Sequence, residues 1–224
     1  MMTISILGTG WITSKGYGTI NLGEEHLFAP EETLYTVAKN GIFNRRPVKN
    51  FGRLDRLSRI TLAAVSLALK DAGIDSSPDS KKDIGIVGTN DQGSQETDTA
   101  YFRDFVDNGR KLARANLFIY TLPSSPMGEA AIHFGLAGPL LYMAGAGRSL
   151  ATVMVTAAEM IAGAESTLML AGMTCGDEGI YTLLGESKAG GKCTLDNVLK
   201  SAGVDADVEK IVTTIRSLKR GQQA

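Results

Sequence analysis

The sequence predicts an α/β domain built around a mixed, mainly parallel sheet of about four or five strands, with helices on both faces. Short apolar runs rich in β-branched residues alternate with longer segments in which apolar residues recur at helical spacing, and this alternation is typical of such sheets. The chain has 224 residues, of which 43% are hydrophobic and 21% are charged. A chain of this size and composition buries a sizeable core without disulfides or metal.

The N-terminal part predicts one strand and one long helix. Residues 3–7 (TISIL) predict a buried strand, which Gly8 and Gly10 are expected to end in a tight turn. A loop-rich stretch follows, with one short helix starting from Pro30. Over residues 54–71, apolar side chains recur at helical spacing, so we expect a long amphipathic helix there.

The middle of the chain predicts a second strand and two helices. Residues 83–88 (DIGIVG) have the apolar, β-branched pattern of a buried strand. Residues 95–106 predict a helix, whereas residues 117–122 do not distinguish helix from strand. A short helix is expected over residues 127–134, directly behind Pro126.

The last part of the chain predicts two further strands and two helices. Residues 139–144 predict a strand, residues 149–161 an apolar helix, and residues 167–171 a fourth strand. From Gly172 onward the sequence is rich in glycine, and it becomes helical again over residues 208–219. Nothing after Gly172 suggests another strand.

Composition excludes several classes of function. The formal net charge is −1, so the chain has no electrostatic footprint for nucleic acid or for an anionic membrane. The two cysteines (Cys175 and Cys193) and two histidines (His26 and His133) are too few for a disulfide framework or a metal centre. No signal peptide and no apolar run of about 20 residues is visible, so a reducing cytoplasm is the expected compartment.

The glycines after the first strand raise the alternative of a dinucleotide site. That fingerprint needs a third glycine at position 13 and a helix that opens directly, so that pyrophosphate lies at the helix N-terminus. Position 13 is Thr13, and the next glycines, Gly16 and Gly18, fall in a predicted loop. We therefore expect no nucleotide here and no other cofactor.

Five collinear segments carry a resemblance to a known family: ILGTGWITSKG, FGRLDRLSRITLAAVSLALKDAGI, DIGIVGTN, LPSSPMGEAAIHFGLAGPLLYMAGAG and AAEMIAGAESTLMLAG. In order and spacing they resemble the N-terminal half of a β-ketoacyl synthase of the thiolase-like fold. The resemblance implies a three-layer α-β-α half domain over residues 1–172. Residues 173–224 would then be an atypical Gly-rich and helical extension of the same domain, without the fifth strand of that half.

The family's nucleophile position carries glycine. In the family a strand ends in an Ala-Cys turn, and the cysteine opens the central helix, whose partly positive N-terminus stabilises a thiolate. The matching turn here is Ala146-Gly147, and glycine cannot form a thioester. The resemblance therefore implies no condensing activity. The free N–H groups at this helix start, beside Arg148, would suit an anion or a carbonyl oxygen, although Gly147 also suits a plain turn and Arg148 a surface position.

Two residues are alternative nucleophiles. Ser149 lies two positions past the family's nucleophile, but no triad-like pattern surrounds it, and a helix N-cap is its simpler role. Cys175 follows the fourth predicted strand, where α/β sheets place their sites, yet Asp177 and Glu178 beside it would raise the pKa of its thiol. His133 lies among apolar residues, which favours a buried histidine over a catalytic base.

The resemblance also implies a binding region and a partner. In related synthases the region of Ser124 and Ser125 lines the acyl site near the subunit interface, although here both could belong to a plain loop and N-cap. Subunits of the family pair through the strand equivalent to residues 139–144 and the short helix before it. We therefore expect a homodimer, or a heterodimer with a ketosynthase, with an acyl carrier protein as a further possible partner.

Three functional hypotheses remain open at this point. The first is a catalytically inactive β-ketoacyl synthase-like subunit that works with a ketosynthase or acyl carrier protein in fatty-acid or polyketide-type biosynthesis. The second is an acyltransferase or thioesterase that uses Cys175 or Ser149. The third is a non-catalytic ligand-binding or structural domain.

Overall fold

The computed structural model describes residues 3–43, 48–110, 114–145, 149–186, 193–203 and 206–221. These residues form strands β1 (Ile4–Thr13), β2 (Gly16–Thr19), β3 (Glu25–Leu27), β4 (Ile84–Asn90), β5 (Leu140–Tyr142), β6 (Leu168–Cys175) and β7 (Glu178–Glu186). They also form helices α1 (Leu34–Val37), α2 (Arg56–Asp71), α3 (Gln95–Asp107), α4 (Ala115–Ile119), α5 (Ser125–Phe134), α6 (Leu150–Ala162), α7 (Leu195–Ala202) and α8 (Val208–Arg220). A π-helical turn follows α1 and a 3₁₀ turn precedes α2.

The strands form one mixed sheet in the order β3-β2-β1-β7-β6-β4-β5. The mixed sheet with helices on both faces confirms the predicted fold class, but two details were wrong. The described residues give seven strands rather than four or five, and four of the six pairings are antiparallel. Parallel pairing is confined to β4, β5 and β6, whose connections run through helices.

Strand β7 is one of the strands that the sequence did not predict, because nothing after Gly172 suggested a strand. Residues 178–186 (EGIYTLLGE) follow β6 through a tight turn in which Gly176 has φ +58°. The new strand pairs antiparallel with both β6 and β1 at the centre of the sheet. Its interior residues are all buried, so this segment is part of the core.

The expectation that Gly8 and Gly10 end the first strand in a tight turn was wrong, because both glycines lie inside β1. A Cβ atom on Gly8 would lie 2.5 Å from the backbone N of Ala72, and one on Gly10 would lie 2.3 Å from the backbone O of Ala64. Both neighbours belong to the inner face of α2 or to its C-cap. The glycines therefore let α2 pack directly on the backbone of β1.

The helices form two outer layers, as the resemblance implied. Helices α2 and α5 pack on one face of the sheet, while α6, α7 and α8 pack on the other. Adjacent residues of β6 point into opposite cores: Met169 joins the cluster of α6 to α8, and Leu170 joins that of α2 and α5. None of the described helices is long and apolar enough to cross a membrane.

At the C-terminal end of α2, the buried carboxylate of Asp71 ties the helix to the sheet. Asp71 accepts hydrogen bonds from the backbone N–H of Thr9 at 2.8 Å and of Leu22 at 2.9 Å. Each of these N–H groups would otherwise need another partner. Asp71 thus fixes the register of α2 against β1 and the β2–β3 turn.

Candidate functional site

The carboxyl edge of the parallel strands is the candidate site. Strands β4, β5 and β6 all end there, at Asn90, Tyr142 and Cys175. The hydroxyl of Tyr142 donates to the side-chain oxygen of Asn90 at 3.2 Å. In α/β sheets this edge is where ligands bind, because loops and helix N-termini converge on it.

The turn that the sequence predicted to hold the family's nucleophile position lies outside the described residues. It spans Ala146, Gly147 and Arg148, so the candidate binding roles of Gly147 and Arg148 stay predictions. The strand leading to them is held in place, since the carbonyl of Met143 accepts from the Thr89 hydroxyl at 2.8 Å and its N–H donates to Gly88 at 2.9 Å.

Ser149 is the N-cap of α6, the helix that the sequence predicted over residues 149–161. Its hydroxyl accepts a hydrogen bond from the backbone N–H of Thr152 at 3.3 Å and lies 2.9 Å from the Thr152 hydroxyl. This is the capping geometry expected of a serine at a helix start. The structure therefore gives Ser149 a structural role, and its role as nucleophile or ligand-binding residue remains a prediction.

Ser124 and Ser125 lie at the start of α5. The carbonyl of Ser124 accepts from the backbone N–H of Met127 and Gly128, at 3.1 and 3.0 Å, while the Ser125 hydroxyl donates to the carbonyl of Ile119 at 2.5 Å. The two serines thus hold the turn between α4 and α5. The space beside them, bounded by Met127, Tyr142 and Tyr181, measures about 10 Å³, which is room for one water molecule.

A group of buried hydroxyls that the sequence did not point to lies below this space. The hydroxyls of Thr61 and Thr174 are 2.8 Å apart, and both hydrogen-bond to the Tyr181 hydroxyl. Burial raises the pKa of Tyr181 well above its ordinary value. The phenol therefore stays protonated at neutral pH. Its strand, β7, was not predicted, and so the sequence offered no way to place it.

Cys175 is the last residue of β6 and is half-buried, opposite Glu178 in the β-register. Asp177, two residues further along the chain, forms an ion pair with Arg56, and its carboxylate lies 3.0 Å from the guanidinium. Within the described ranges, no group of three or more His, Cys, Asp or Glu side chains could hold a metal ion.

Arg56 links three elements at this edge. Its guanidinium contacts Asp177 in the β6–β7 turn at 3.0 Å and Glu96 in the first turn of α3 at 2.9 Å. Burial acts to lower the pKa of Arg56, but the two carboxylates outweigh burial, and the pKa is raised above its ordinary value. Clefts of about 240 and 330 Å³ lie beside this residue, one towards α3 and α4 and one towards α1. Sequence reasoning missed the cluster, because its members are 40 and 121 positions from Arg56.

His133 and Glu129 face each other on α5. The Nε2 atom of His133 lies 4.0 Å from a Glu129 oxygen and makes no hydrogen bond to any described residue. Burial lowers the pKa of His133, and the nearby Glu129 carboxylate offsets only part of this effect. A neutral, largely enclosed imidazole agrees with the buried histidine favoured from the sequence.

Tyr120 is the second partner of Glu129. Its hydroxyl donates to the other Glu129 oxygen at 3.3 Å. Burial raises the pKa of Tyr120 most, the Glu129 carboxylate adds to the effect, and the pKa reaches about 12.

We expect His133 to make the protein less stable in mild acid. Because the pKa of His133 is lower in the folded state than in the unfolded chain, the unfolded chain binds the proton more readily. The free energy of unfolding should therefore fall as the pH drops through about 6.5, the ordinary histidine value. Urea titrations at pH 7.5 and 5.5 should show a smaller fall for His133→Gln than for the parent. His26→Gln, which keeps His133, is the control; an equal fall in all three proteins would contradict the assignment.

Comparison with known proteins gives one family match and several structural matches. The family model of the β-ketoacyl synthase N-terminal domain matches residues 39–207. The ishigamide ketosynthase/chain length factor aligns with a TM-score of 0.62 at 18% identity, covering 84% of this chain and 63% of that chain. A second match is the structure of a type II polyketide synthase acyl-carrier protein in complex with its ketosynthase (AntDE:AntF). It aligns with a TM-score of 0.62 at 14% identity, again covering 84% of this chain and 63% of the matched chain.

A third structure is the ketosynthase ApeO in complex with its chain length factor ApeC from Xenorhabdus doucetiae. It aligns with a TM-score of 0.52 at 13% identity, covering 85% of this chain and 81% of that chain. The search of curated proteins found no match. At these identities the structural matches establish the fold, and this chain spans less than two thirds of the first two.

Proposed function

This chain belongs to the family of β-ketoacyl synthase N-terminal domains, and from that premise we propose that it is a catalytically inactive ketosynthase-like subunit. It pairs with a ketosynthase in fatty-acid or polyketide-type biosynthesis in the cytoplasm, and its own role needs neither cofactor nor metal. The proposal treats residues 1–172 and 173–224 as one domain, since β7, α7 and α8 pack in the same sheet and core as the rest.

The observation that carries this proposal is the state of strand β5. It is the last strand of the sheet and pairs with β4 on one side, with no described strand on the other. Leu140 and Leu141 are about 40% exposed on it, and Ile132 of the preceding helix α5 is more exposed still. An apolar strand at an open edge invites a further strand. This is the strand and helix through which the resemblance implies subunit pairing.

The structural matches support a ketosynthase as the partner. Two of them are pairs of a ketosynthase with a chain length factor. In the second pair this chain covers 81% of the chain it matches, so the two are close in length. A third match contains an acyl-carrier protein together with its ketosynthase, which supports carrier protein as a further contact.

Loss of condensing activity is supported by residue identity at the nucleophile position. The resemblance aligns Gly147 with the family's cysteine, and a glycine has no side chain to carry an acyl group. Ser149 is engaged in capping α6, and Asp177, next to Cys175, is paired with Arg56.

Intact-mass measurement tests the catalytic part of the proposal. The purified chain is incubated with acyl- and malonyl-loaded carrier protein, and its mass is followed over time. We expect no covalent adduct. An adduct mapped to Cys175 or Ser149, and lost in Cys175→Ala or Ser149→Ala, would instead make the chain an acyltransferase or thioesterase.

The partner part of the proposal predicts that Leu141→Asp abolishes pairing. A charge on β5 would face an apolar partner strand without a counter-charge, so affinity for the ketosynthase should fall by about 100-fold or more. The partner is identified by mass spectrometry after capture from the source cells, purified, and titrated calorimetrically. Leu27→Asp is the control, because Leu27 is an exposed leucine on β3, at the opposite edge of the sheet. Equal affinity of both variants would rule out β5 as the pairing strand.

A further inference from the structure

A cleft of about 470 Å³ lies between the C-terminal end of α8 and the turn that joins β2 to β3. Its volume is that of a small-molecule pocket, but its lining is mostly polar. Three cations line the cleft, Arg216, Lys219 and Arg220, together with one carboxylate, Glu25. Both walls lie outside residues 39–207, which the family model matches. The cleft is therefore a feature of this chain that the family match does not cover.

Arg216 and Glu25 form a fixed ion pair in the wall of the cleft. The Arg216 guanidinium contacts the Glu25 carboxylate at 3.0 Å. It also lies over the ring of Trp11, 5.3 Å from the ring centroid, and Trp11 is buried in β1. Both contacts hold the Arg216 side chain in place. Because Glu25 is the only carboxylate among the described residues that line the cleft, this pair leaves two cations without a counter-charge there.

Lys219 is the first of these two cations, and it is half-buried. Its ammonium group donates to the side-chain oxygen of Asn21, which is a neutral acceptor. The Asn21 amide N–H groups are held by the backbone carbonyls of Leu7 at 2.6 Å and Asp71 at 3.1 Å. Burial lowers the pKa of Lys219, and the charges of Cys193 and Asp71 offset only part of this effect. A desolvated cation of this kind is stabilised by an anion beside it.

Arg220 is the second cation, and it is exposed at the last position of α8. Within the part of the chain that the structure describes, neither Lys219 nor Arg220 forms an ion pair. Cations at a helix C-terminus often serve to bind the last carbonyls, but Lys219 reaches across to Asn21 instead. The partial charge of a helix C-terminus is only about −0.5. The cleft therefore keeps an excess of positive charge.

We propose that this cleft binds the phosphate group of a small, soluble phosphomonoester. A phosphate dianion matches the two cations Lys219 and Arg220, whereas a single carboxylate would leave one of them unmatched. The planar guanidinium of Arg220 suits two phosphate oxygens at once, and the ammonium group of Lys219 supplies a point charge. The phosphate fills only part of the cleft, and the polar lining suits a polyol or sugar as the rest of the ligand. The proposal does not depend on pairing with a ketosynthase.

Phosphorus NMR with glycerol 3-phosphate as the probe tests this proposal. The full chain in phosphate-free buffer should shift the phosphorus resonance in a saturable way, and inorganic phosphate should reverse the shift. Arg220→Gln and Lys219→Gln should each weaken binding about 10-fold or more, because each removes a charge-assisted hydrogen bond. Lys210→Gln is the control, since it removes an exposed cation of α8 that does not line the cleft. Circular dichroism checks that each variant is folded.

Several outcomes would overturn the phosphate site. One is that the parent gives no saturable shift, and another is that Arg220→Gln, whose exposed side chain the fold does not need, binds like the parent. If acetate at equal ionic strength reverses the shift as well as phosphate does, the cleft only collects anions by charge. If the parent sediments with vesicles that contain phosphatidic acid but does not bind glycerol 3-phosphate, the phosphate belongs to a lipid and the proposed ligand is wrong.

Discussion

Gly10→Ala is expected to destabilise the protein by about 3 kcal/mol or more, which is a large part of the 5–15 kcal/mol that ordinarily separates folded from unfolded domains. The new Cβ would lie 2.3 Å from the backbone O of Ala64 and 2.4 Å from the backbone N of Ala68. Neither atom can rotate away, because both belong to the backbone of α2. Relief therefore requires the whole helix to move off β1, which loosens the core between them.

Gly128→Ala is the matched control, because both changes add one methyl group. Gly128 lies in α5, and nothing stands within 4 Å of a Cβ built there. Alanine is a better helix former than glycine by about 1 kcal/mol, so this variant should be slightly more stable than the parent. Urea unfolding followed by circular dichroism gives both values. A Gly10→Ala midpoint equal to the parent's would mean that α2 does not pack directly on the strand.

The long helices α2, α3 and α8 could be predicted well because their signals are local, whereas α7 (Leu195–Ala202) was missed in the stretch expected to be Gly-rich loop. Helix α2 was expected over residues 54–71 and runs from Arg56 to Asp71, and α3 and α8 were likewise placed within two residues at both ends. Apolar spacing marks the body of such helices. Asp55 and Asp207 cap the starts of α2 and α8 through their carboxylates, which is a signal contained in a few neighbouring residues.

The sheet could be predicted only in part, because glycine has two meanings in a sequence. At Gly8 and Gly10 it permits close approach of a helix to a strand, but the same letters are typical of a turn. In β7, Gly179 and Gly185 made a buried strand resemble a loop. A Cβ on Gly179 would meet Ile60 at 2.7 Å, and one on Gly185 would meet Leu168 at 2.6 Å. The reason for each glycine lies in a distant segment.

The candidate site, too, could be predicted only where its features depend on neighbouring residues. Its location at the strand ends and the N-cap role of Ser149 followed from local pattern. The contacts of Arg56 with Glu96 and Asp177, and the hydroxyl group of Thr61, Thr174 and Tyr181, join residues far apart in the chain. A single sequence holds no record of such pairs, so only the fold brings them together.

Ile215→Asp is expected to unfold most of the protein, although α8 begins after residue 207, where the family match ends. Ile215 is fully buried and belongs to the apolar cluster that includes Ile6 of β1 and Leu184 of β7. The substitution removes about 1.5–3 kcal/mol of apolar burial. It also places a carboxylate without a counter-charge in the core, which adds several kcal/mol more. The sum approaches the whole stability of an ordinary domain.

Thr213→Asp is the control for Ile215→Asp, because it puts the same side chain two residues away on the exposed side of α8. It should unfold within about 0.5 kcal/mol of the parent, as surface substitutions usually do. If both variants melt together with the parent, α8 is a detachable tail and the domain is complete without it. If only Ile215→Asp unfolds, α8 is part of the core, because its buried side chains pack with those of β1 and β7.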